Sequence, residues 1–112
     1  MSDKKNKLEL YIADKLKRVD KFARPTPGSG CGSSVGDVSN KYFFIESKIK
    51  HSKENIIIDY KKEWLTLLDR MSLNNNKTPL IFTENKYGEK FVTLNSDDFF
   101  ELVYKIYGDQ ND

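Results

Sequence analysis

The sequence has little of the chemistry that builds disulfides or zinc sites. Its only cysteine is Cys31 and its only histidine is His51. One cysteine cannot form a disulfide within the chain, and the two residues together are too few for the four ligands of a structural zinc site. A reducing cytoplasm is therefore the expected location.

Long apolar runs and targeting signals are also absent from the sequence. No apolar run approaches the roughly 20 residues that a transmembrane helix needs, so we expect no membrane partner. The first ten residues, MSDKKNKLEL, have neither the apolar region nor the cleavage site of a signal peptide. The glycine-containing segment PTPGSGCGSSVG, residues 25–36, lacks the Gly-Lys-Ser/Thr of a phosphate-binding P-loop and the spacing of a dinucleotide fingerprint. It is predicted to be a loop whose backbone can approach a ligand closely.

What the chain does contain suits one globular domain. It has 112 residues, of which 38% are hydrophobic and 32% are charged. We expect a single domain over residues 1–112, with short disordered tails at both ends. The net charge is about +6 over residues 1–62 and about −4 over residues 63–112. This asymmetry is compatible with a side that faces nucleic acid, and equally with an ordinary solvated surface.

Apolar periodicity predicts three helices and five strands. The predicted helices span residues 3–17, 59–71 and 96–107. The predicted strands span residues 19–24, 36–39, 42–49, 79–83 and 90–94, with one hairpin formed by the second and third strands and another by the last two. The order α-β-β-β-α-β-β-α predicts an α/β fold with a mixed central sheet flanked by helices.

Each predicted helix has an apolar face and two have an N-cap. The predicted inward residues are Leu8, Ile12, Leu16 and Val19 in the first helix, Trp64, Leu65, Leu68 and Met71 in the second, and Phe99, Leu102, Val103 and Ile106 in the third. Asp59 and Ser96 are the predicted N-caps of the second and third helices. Glu9 lies beside the apolar stripe of its helix, so its carboxylate is expected near the core or near a site.

The segment GDVSNKYFFIESKIK, residues 36–50, carries the candidate chemistry. Glu46 and Lys48 are two residues apart in a predicted strand and therefore share a face. With a two-residue turn, Asp37 pairs with Phe44, and Glu46 becomes the diagonal neighbour of Asp37 at a Cβ separation of about 7–8 Å. Two carboxylates at that separation can bind one metal ion. A three-residue turn would break this parity.

Two carboxylates together with water and substrate phosphates are a typical Mg²⁺ environment. Such a metal would polarise a phosphoryl oxygen and help to form a hydroxide nucleophile. Lys48 could then orient the attacking water or stabilise developing negative charge, and Glu9 could approach from the first helix. The alternative interpretation is an exposed Glu/Lys pair at the end of a strand.

The motifs around these residues resemble the PD-(D/E)XK nuclease superfamily. Within it they are most similar to the small Holliday junction resolvases of archaea and the resolvase-like endonucleases of bacteriophages. The resemblance covers roughly residues 5–105. It is carried, in order, by the helical Glu9, ARPTPGSG (23–30), GDV (36–38), FFIESK (43–48) and IIIDYKKEWL (56–65). The core order of that superfamily is α-β-β-β-α-β, which the predicted elements contain.

The resemblance implies roles for individual residues. Asp37 and Glu46 would bind Mg²⁺, for which Mn²⁺ is expected to substitute, and Lys48 would be the catalytic lysine. Glu9 would complete the metal site through water. The residues that the resemblance assigns to DNA binding are Arg24, Ser29, Lys50, Lys61 and Lys62.

These roles imply a Mg²⁺-dependent endodeoxyribonuclease that resolves Holliday junctions or other branched DNA in recombination and repair. The resemblance also implies a homodimer, since a junction needs paired cuts. We expect a bacteriophage or prophage source, and a phage-encoded protein would act in the host cytoplasm. The C-terminal helix with its tyrosines is one candidate dimer surface. Two alternatives remain: a PD-(D/E)XK nuclease with another DNA target, of nicking, repair or restriction type, and an inactive DNA-binding module of the same fold.

Overall fold

The secondary-structure elements follow one another in the predicted order. A computed structural model describes residues 2–27, 35–73 and 76–108. Its elements are helix α1 (Ser2–Leu16), strands β1 (Arg24–Pro25), β2 (Val38–Ser39) and β3 (Phe43–Lys50), helix α2 (Leu65–Arg70), strands β4 (Thr78–Asn85) and β5 (Lys90–Thr93), and helix α3 (Ser96–Tyr107). The order α-β-β-β-α-β-β-α is thereby confirmed. The predicted tails, residue 1 and residues 109–112, lie outside the described residues.

The main sheet is mixed and has the strand order β3-β4-β5. Strand β3 is parallel to β4, with Phe43 opposite Thr78 and Lys48 opposite Thr83. Strand β4 is antiparallel to β5. The predicted α/β fold with a mixed sheet is confirmed at this level, and the parallel pair is connected through α2, as such a pair requires.

The predicted hairpin ladder between residues 36–39 and 42–49 is wrong. Strand β2 pairs with β1 instead, with Ser39 opposite Arg24. The Asn40 side chain closes the turn before β3: its Oδ1 accepts hydrogen bonds from the N–H groups of Tyr42 at 2.9 Å and Phe43 at 2.8 Å. The Asn40 side chain thus uses the N–H groups of Tyr42 and Phe43, and these groups are not available to a hairpin ladder.

Helix α1 covers one face of the sheet. Leu8, Ile12 and Ala13 are buried against Val38 and Ile45, and Leu16 packs on the edge of this cluster. The i, i+4 spacing of Leu8 and Ile12 accounts for this packing. Val19, predicted to extend the stripe, is 60% exposed because α1 ends at Leu16.

Helix α2 covers the opposite face of the sheet. It is preceded by one π-helical turn, Tyr60–Trp64, which begins at Asp59; the Asp59 carboxylate accepts from the N–H of Lys62 at 2.8 Å, as predicted for the N-cap. The buried residue of α2 is Leu67, which packs on Phe44 and Ile81. The prediction that Leu65 faces inward is wrong. The inward set has the spacing Trp64, Leu67, Met71, and Leu65 is 39% exposed.

Strands β4 and β5 form the predicted hairpin, in which Gly88 has a φ of +79°. Helix α3 follows, but its N-cap is Asn95 and not Ser96: Asn95 Oδ1 accepts from the N–H of Asp97 at 2.8 Å. No described residue of α3 is buried. Phe99 and Leu102 line an apolar cleft beside Phe43 and Phe82, yet Phe99 is 47% exposed. Ile106, also predicted to face inward, is 64% exposed, so the sheet covers this helix less than predicted.

Among the described residues, no helix is both long and apolar enough to cross a membrane.

Candidate active site

Asp37 is positioned by the glycine before it. Gly36 has a φ of +84°, and a Cβ there would lie 2.8 Å from the backbone oxygen of Ile45. This close approach lets the N–H of Asp37 donate to Ile45 O at 2.7 Å. The Asp37 carboxylate then accepts two hydrogen bonds from Ser47, one from the backbone N–H at 2.8 Å and one from the hydroxyl at 3.1 Å.

These contacts shift the predicted pairing by one residue. Asp37 is hydrogen-bonded to Ile45, whereas the sequence predicted that it pairs with Phe44. Its carboxylate is consequently bonded to Ser47, whose side chain points away from those of Glu46 and Lys48 in a pleated strand. The predicted register, in which Asp37 pairs with Phe44, is therefore wrong. Asp37 contacts β3 at Ser47, the residue that follows Glu46.

Glu9 reaches the same serine from α1. Ser47 Oγ lies 3.3 Å from Glu9 Oε2 and 3.1 Å from Asp37 Oδ2. A hydroxyl has one hydrogen to donate, so the two carboxylates share one donor. Glu9 is only 3% exposed and Asp37 only 1%. The prediction that Glu9 lies near the core or near a site is confirmed, since it is buried in contact with the strand that carries the motif.

Glu46 is held on the other face of β3 by two cations. Its Oε1 accepts from Arg70 Nη1 at 2.7 Å, and its Oε2 lies 3.4 Å from Lys48 Nζ. The Glu46 side chain is 7% exposed, that of Arg70 is 23% exposed and that of Lys48 is 39% exposed. The predicted Glu46–Lys48 pair is thus present, and Arg70 of α2 joins it.

A buried threonine hydroxyl lies on the same side of the sheet. Thr83 is opposite Lys48 in the parallel ladder, so the two side chains share a face. Thr83 is fully buried, and its Oγ1 has no hydrogen-bond partner among the described residues. A buried hydroxyl of this kind retains its capacity to bind a further polar group.

The residues around Ser47 include several carboxylates that are buried from water. Three of the four predicted catalytic residues are buried carboxylates: Glu9, Asp37 and Glu46. Burying carboxylates is costly unless cations or hydrogen-bond donors compensate. The compensation for Glu46 comes from Lys48 and Arg70, and Ser47 donates to the other two.

The donor set fits a hard divalent cation. Carboxylate oxygens are the ligands that Mg²⁺ prefers, and Thr83 adds a buried hydroxyl oxygen without a hydrogen-bond partner among the described residues, on the face of the sheet that carries Lys48. Both oxygens of Glu46 contact cations, which a metal ion would have to displace. Within residues 2–27, 35–73 and 76–108, however, no group of three or more His, Cys, Asp or Glu side chains is arranged to hold a metal ion. Glu46 contacts Arg70 and Lys48, and both Asp37 and Glu9 contact Ser47.

The predicted DNA-binding residues are distributed around this site. Arg24 is exposed in β1, and the segment that follows it is joined to the site by a hydrogen bond from Thr26 N–H to Asp37 O at 2.9 Å. Lys61 and Lys62 are exposed in the π-helical turn before α2. Ser29 lies outside the described residues, as does Cys31.

Lys50, the remaining predicted DNA-binding residue, is engaged by Glu63. Its Nζ lies 2.8 Å from Glu63 Oε2. Burial acts to raise the pKa of Glu63, but hydrogen bonds from Lys50 and from the backbone N–H of Asp59, with the charges of Lys50 and Lys48, lower it below its ordinary value of 4.5. Glu63 is therefore a carboxylate held in its charged form by the basic residues of β3.

The sequence did not predict Ser47, Arg70 or Thr83 as part of the site. Ser47 is the middle residue of Glu46-Ser47-Lys48, and strand alternation alone places it on the face opposite its neighbours. Arg70 lies three residues after Leu67, so the two residues share a helix face. Because Leu67 is buried against the sheet, this spacing directs Arg70 toward the sheet as well. Thr83 required the β3–β4 register, which the sequence does not fix.

Comparisons with known proteins add no relative to this picture. No model of a protein family matches the chain, and neither curated proteins nor solved structures give a significant match.

Proposed function

We propose that this protein is a metal-dependent endodeoxyribonuclease of the PD-(D/E)XK type, which hydrolyses phosphodiesters in Holliday junctions or other branched DNA. One observation carries the proposal. Four residues predicted from the sequence, from α1, from the segment just before β2 and from β3, lie around one position of β3: Glu9 and Asp37 contact Ser47, and Glu46 and Lys48 flank it and contact each other. The confirmed element order supports the same type of fold.

The chemistry expected of each residue follows from its placement. Asp37 and Glu46 would hold Mg²⁺ or Mn²⁺, with Glu9 contributing through water. A bound divalent cation would supply Lewis-acid stabilisation of a phosphoryl oxygen and a water of lowered pKa. Lys48 Nζ, at 3.4 Å from Glu46 and with its side chain 39% exposed, can hydrogen-bond to a phosphate oxygen or to the attacking water. Ser47 keeps the Asp37 carboxylate against β3.

The distribution of basic residues supports DNA as the substrate. Lys61 and Lys62 are exposed at the start of the helical segment that leads to Arg70, and Arg24 is exposed on the strand that leads to the glycine-containing loop. Side chains of this type bind phosphates without reading sequence, which suits an enzyme that recognises the shape of a branched substrate.

A homodimer is part of the proposal, and α3 offers a surface for it. Phe100, Tyr104 and Tyr107 recur at helical spacing and are 49%, 61% and 55% exposed; we call them the aromatic stripe. Phe100 and Tyr104 are stacked at a centroid distance of 6.3 Å. Asp97 and Glu101 lie in the first half of α3 and Lys105 in the second half. Two copies of α3 packed antiparallel about a two-fold axis would place acids opposite lysine twice, so this charge order favours a second copy.

The proposal is tested with an end-labelled synthetic four-way junction beside a matched linear duplex and single strand, each with Mg²⁺, Mn²⁺ or EDTA. Metal-dependent paired nicks confined to the junction are the expected result. Cutting of all substrates, or of linear duplex preferentially, would instead assign the protein to the nicking, repair or restriction-type nucleases. Tight DNA binding without cleavage in any metal would overturn the enzymatic function and leave a DNA-binding module of the same fold.

A further inference from the structure

Arg70 is a charged side chain of the site to which neither the sequence nor the proposed function gives a role. It lies at the end of α2 and donates from Nη1 to Glu46 Oε1 at 2.7 Å. Glu46 is one of the two carboxylates proposed to bind the metal. The guanidinium therefore occupies one of the oxygens that the metal would need.

The contact between Arg70 and Glu46 is incomplete. An arginine fork usually binds a carboxylate through two parallel hydrogen bonds. Here Nη1 alone is used, while Nε and Nη2 of Arg70 are buried and have no hydrogen-bond partner among the described residues. Buried donors without acceptors are unfavourable, so this ion pair is not optimised as a structural contact.

The second oxygen of Glu46 is held more weakly. Lys48 Nζ is 3.4 Å from Oε2, a longer contact than that of Arg70, and the Lys48 side chain is more exposed. Of the two cations, Arg70 is therefore the stronger competitor for the carboxylate. The Arg70 side chain is 23% exposed as a whole, although its Nε and Nη2 are buried.

We propose that Arg70 is a counter-ion that competes with the divalent cation for Glu46. In the chain without metal, Arg70 neutralises the buried Glu46 carboxylate. With a divalent cation bound to Glu46, Arg70 would release Oε1, and its Nε and Nη2 donors would gain water or a DNA phosphate oxygen. This inference rests on the proposed metal site and adds to it a residue that sets the affinity of the site for metal. Arg70 is a positioning residue here, since it acts through Glu46.

The test measures Mn²⁺ binding to the DNA-free protein by electron paramagnetic resonance of the free ion, so cleavage activity does not enter. Arg70→Gln is expected to bind Mn²⁺ on the order of tenfold more tightly than the wild-type chain, because a unit positive charge in contact with the ligand carboxylate is removed. The matched control is Lys50→Gln. It removes the same charge from an ion pair of 2.8 Å that involves Glu63 and not Glu46, and is expected to change the affinity less than about twofold.

The double variant Glu46→Gln/Arg70→Gln separates direct competition from a general charge effect. The gain from Arg70→Gln should disappear when Glu46 cannot bind metal. A gain that persists in this background overturns the inference. A structural salt bridge would change the unfolding temperature of Arg70→Gln while leaving its Mn²⁺ affinity unchanged, and that result also overturns it.

A second measurement needs no variant and therefore no assumption about folding. The chain has three arginines, Arg18, Arg24 and Arg70. In a Mg²⁺ titration of the wild-type protein, followed by ¹H–¹⁵N spectra of the arginine Nε–H groups, the Arg70 signal should shift as the ion binds and those of Arg18 and Arg24 should not. An Arg70 signal that stays fixed while Mg²⁺ binds would overturn the inference but leave the proposed function intact. No binding of Mg²⁺ or Mn²⁺ to any form would overturn both.

Discussion

Gly36 lies against the backbone of Ile45 so closely that a Cβ on residue 36 would be 2.8 Å from the Ile45 carbonyl oxygen and 3.0 Å from its nitrogen. Real Cβ atoms do not approach backbone atoms that closely. This contact sets Asp37 beside β3, where its N–H bonds to Ile45 O at 2.7 Å and its carboxylate bonds to Ser47. The position of a predicted catalytic acid thus depends on the absence of a side chain at the residue before it.

Gly36→Ala should therefore destabilise the protein more than Gly88→Ala. Both glycines have positive φ, +84° and +79°, so both substitutions cost about 1–2 kcal/mol of backbone strain. Only residue 36 also meets backbone atoms, since nothing lies within 4 Å of a Cβ at residue 88. Urea denaturation of the two variants measures the difference. Equal losses in the free energy of unfolding would mean that the close approach to Ile45 is not a constraint.

Leu67→Ala should cost about 2–5 kcal/mol of the free energy of unfolding, because it leaves a cavity between α2 and the sheet. Leu67 is fully buried against Phe44 and Ile81. Leu65→Ala, on the same helix, is the matched control, and since Leu65 is 39% exposed its cost should stay below about 1 kcal/mol. Denaturation curves of both variants check this prediction, and the reverse order of losses would show that α2 is rotated from the position described.

The Glu63 pair should make stability depend on pH. The pKa of Glu63 is lowered in the folded chain, so its contribution to stability is fully present above its ordinary pKa of 4.5 and is lost as the pH falls through the lower folded value. The difference in unfolding free energy between the wild-type protein and Glu63→Gln should shrink over that window. Denaturation series at pH 7 and at several values below 4.5 measure it. A difference that is constant with pH would mean that Lys50 and Asp59 do not hold Glu63 in its charged form.

Phe100→Asp should weaken self-association at least about tenfold if the aromatic stripe is the dimer surface, because it places a charge in a desolvated contact. Phe22→Asp is the control. Phe22 is 74% exposed and lies in the turn after α1, outside the aromatic stripe. Sedimentation equilibrium of the three proteins gives their dissociation constants. Equal weakening by both substitutions, or by neither, would assign the dimer contact to another surface.

The sequence predicted the elements well because their periodicity reports burial directly. Leu8 and Ile12 in α1 have the spacing of a helix that buries one face, and the alternation around Glu46 and Lys48 has the spacing of a strand. The order of the elements is then the order of these patterns along the sequence. The same spacing predicts that Glu46 and Lys48 share a face, and they are in contact at 3.4 Å. It also predicts that Glu9 lies near the core or near a site, and Glu9 is buried against Ser47.

What the sequence could not predict depended on contacts distant along the chain. The turn before β3 is closed by the Asn40 side chain, which moves the pairing of Asp37 by one residue, and turn length cannot be read from composition. Arg70 resembles any basic residue in the last turn of a helix, a position that the helix dipole favours on its own. The exposure of Ile106 depends on which element packs on α3. The apolar periodicity of a helix does not show what covers its apolar face.

The most direct test of the proposed function compares Glu46→Gln with Glu63→Gln in the cleavage of an end-labelled four-way junction with Mg²⁺. Both residues are glutamates in ion pairs with basic side chains, with Glu46 7% and Glu63 14% exposed, so the two substitutions disturb the fold in similar ways. We expect Glu46→Gln to abolish cutting while junction binding is kept or strengthened, and Glu63→Gln to cut at close to the wild-type rate. Cutting by Glu46→Gln at the wild-type rate would show that the residues around Ser47 are not the catalytic site.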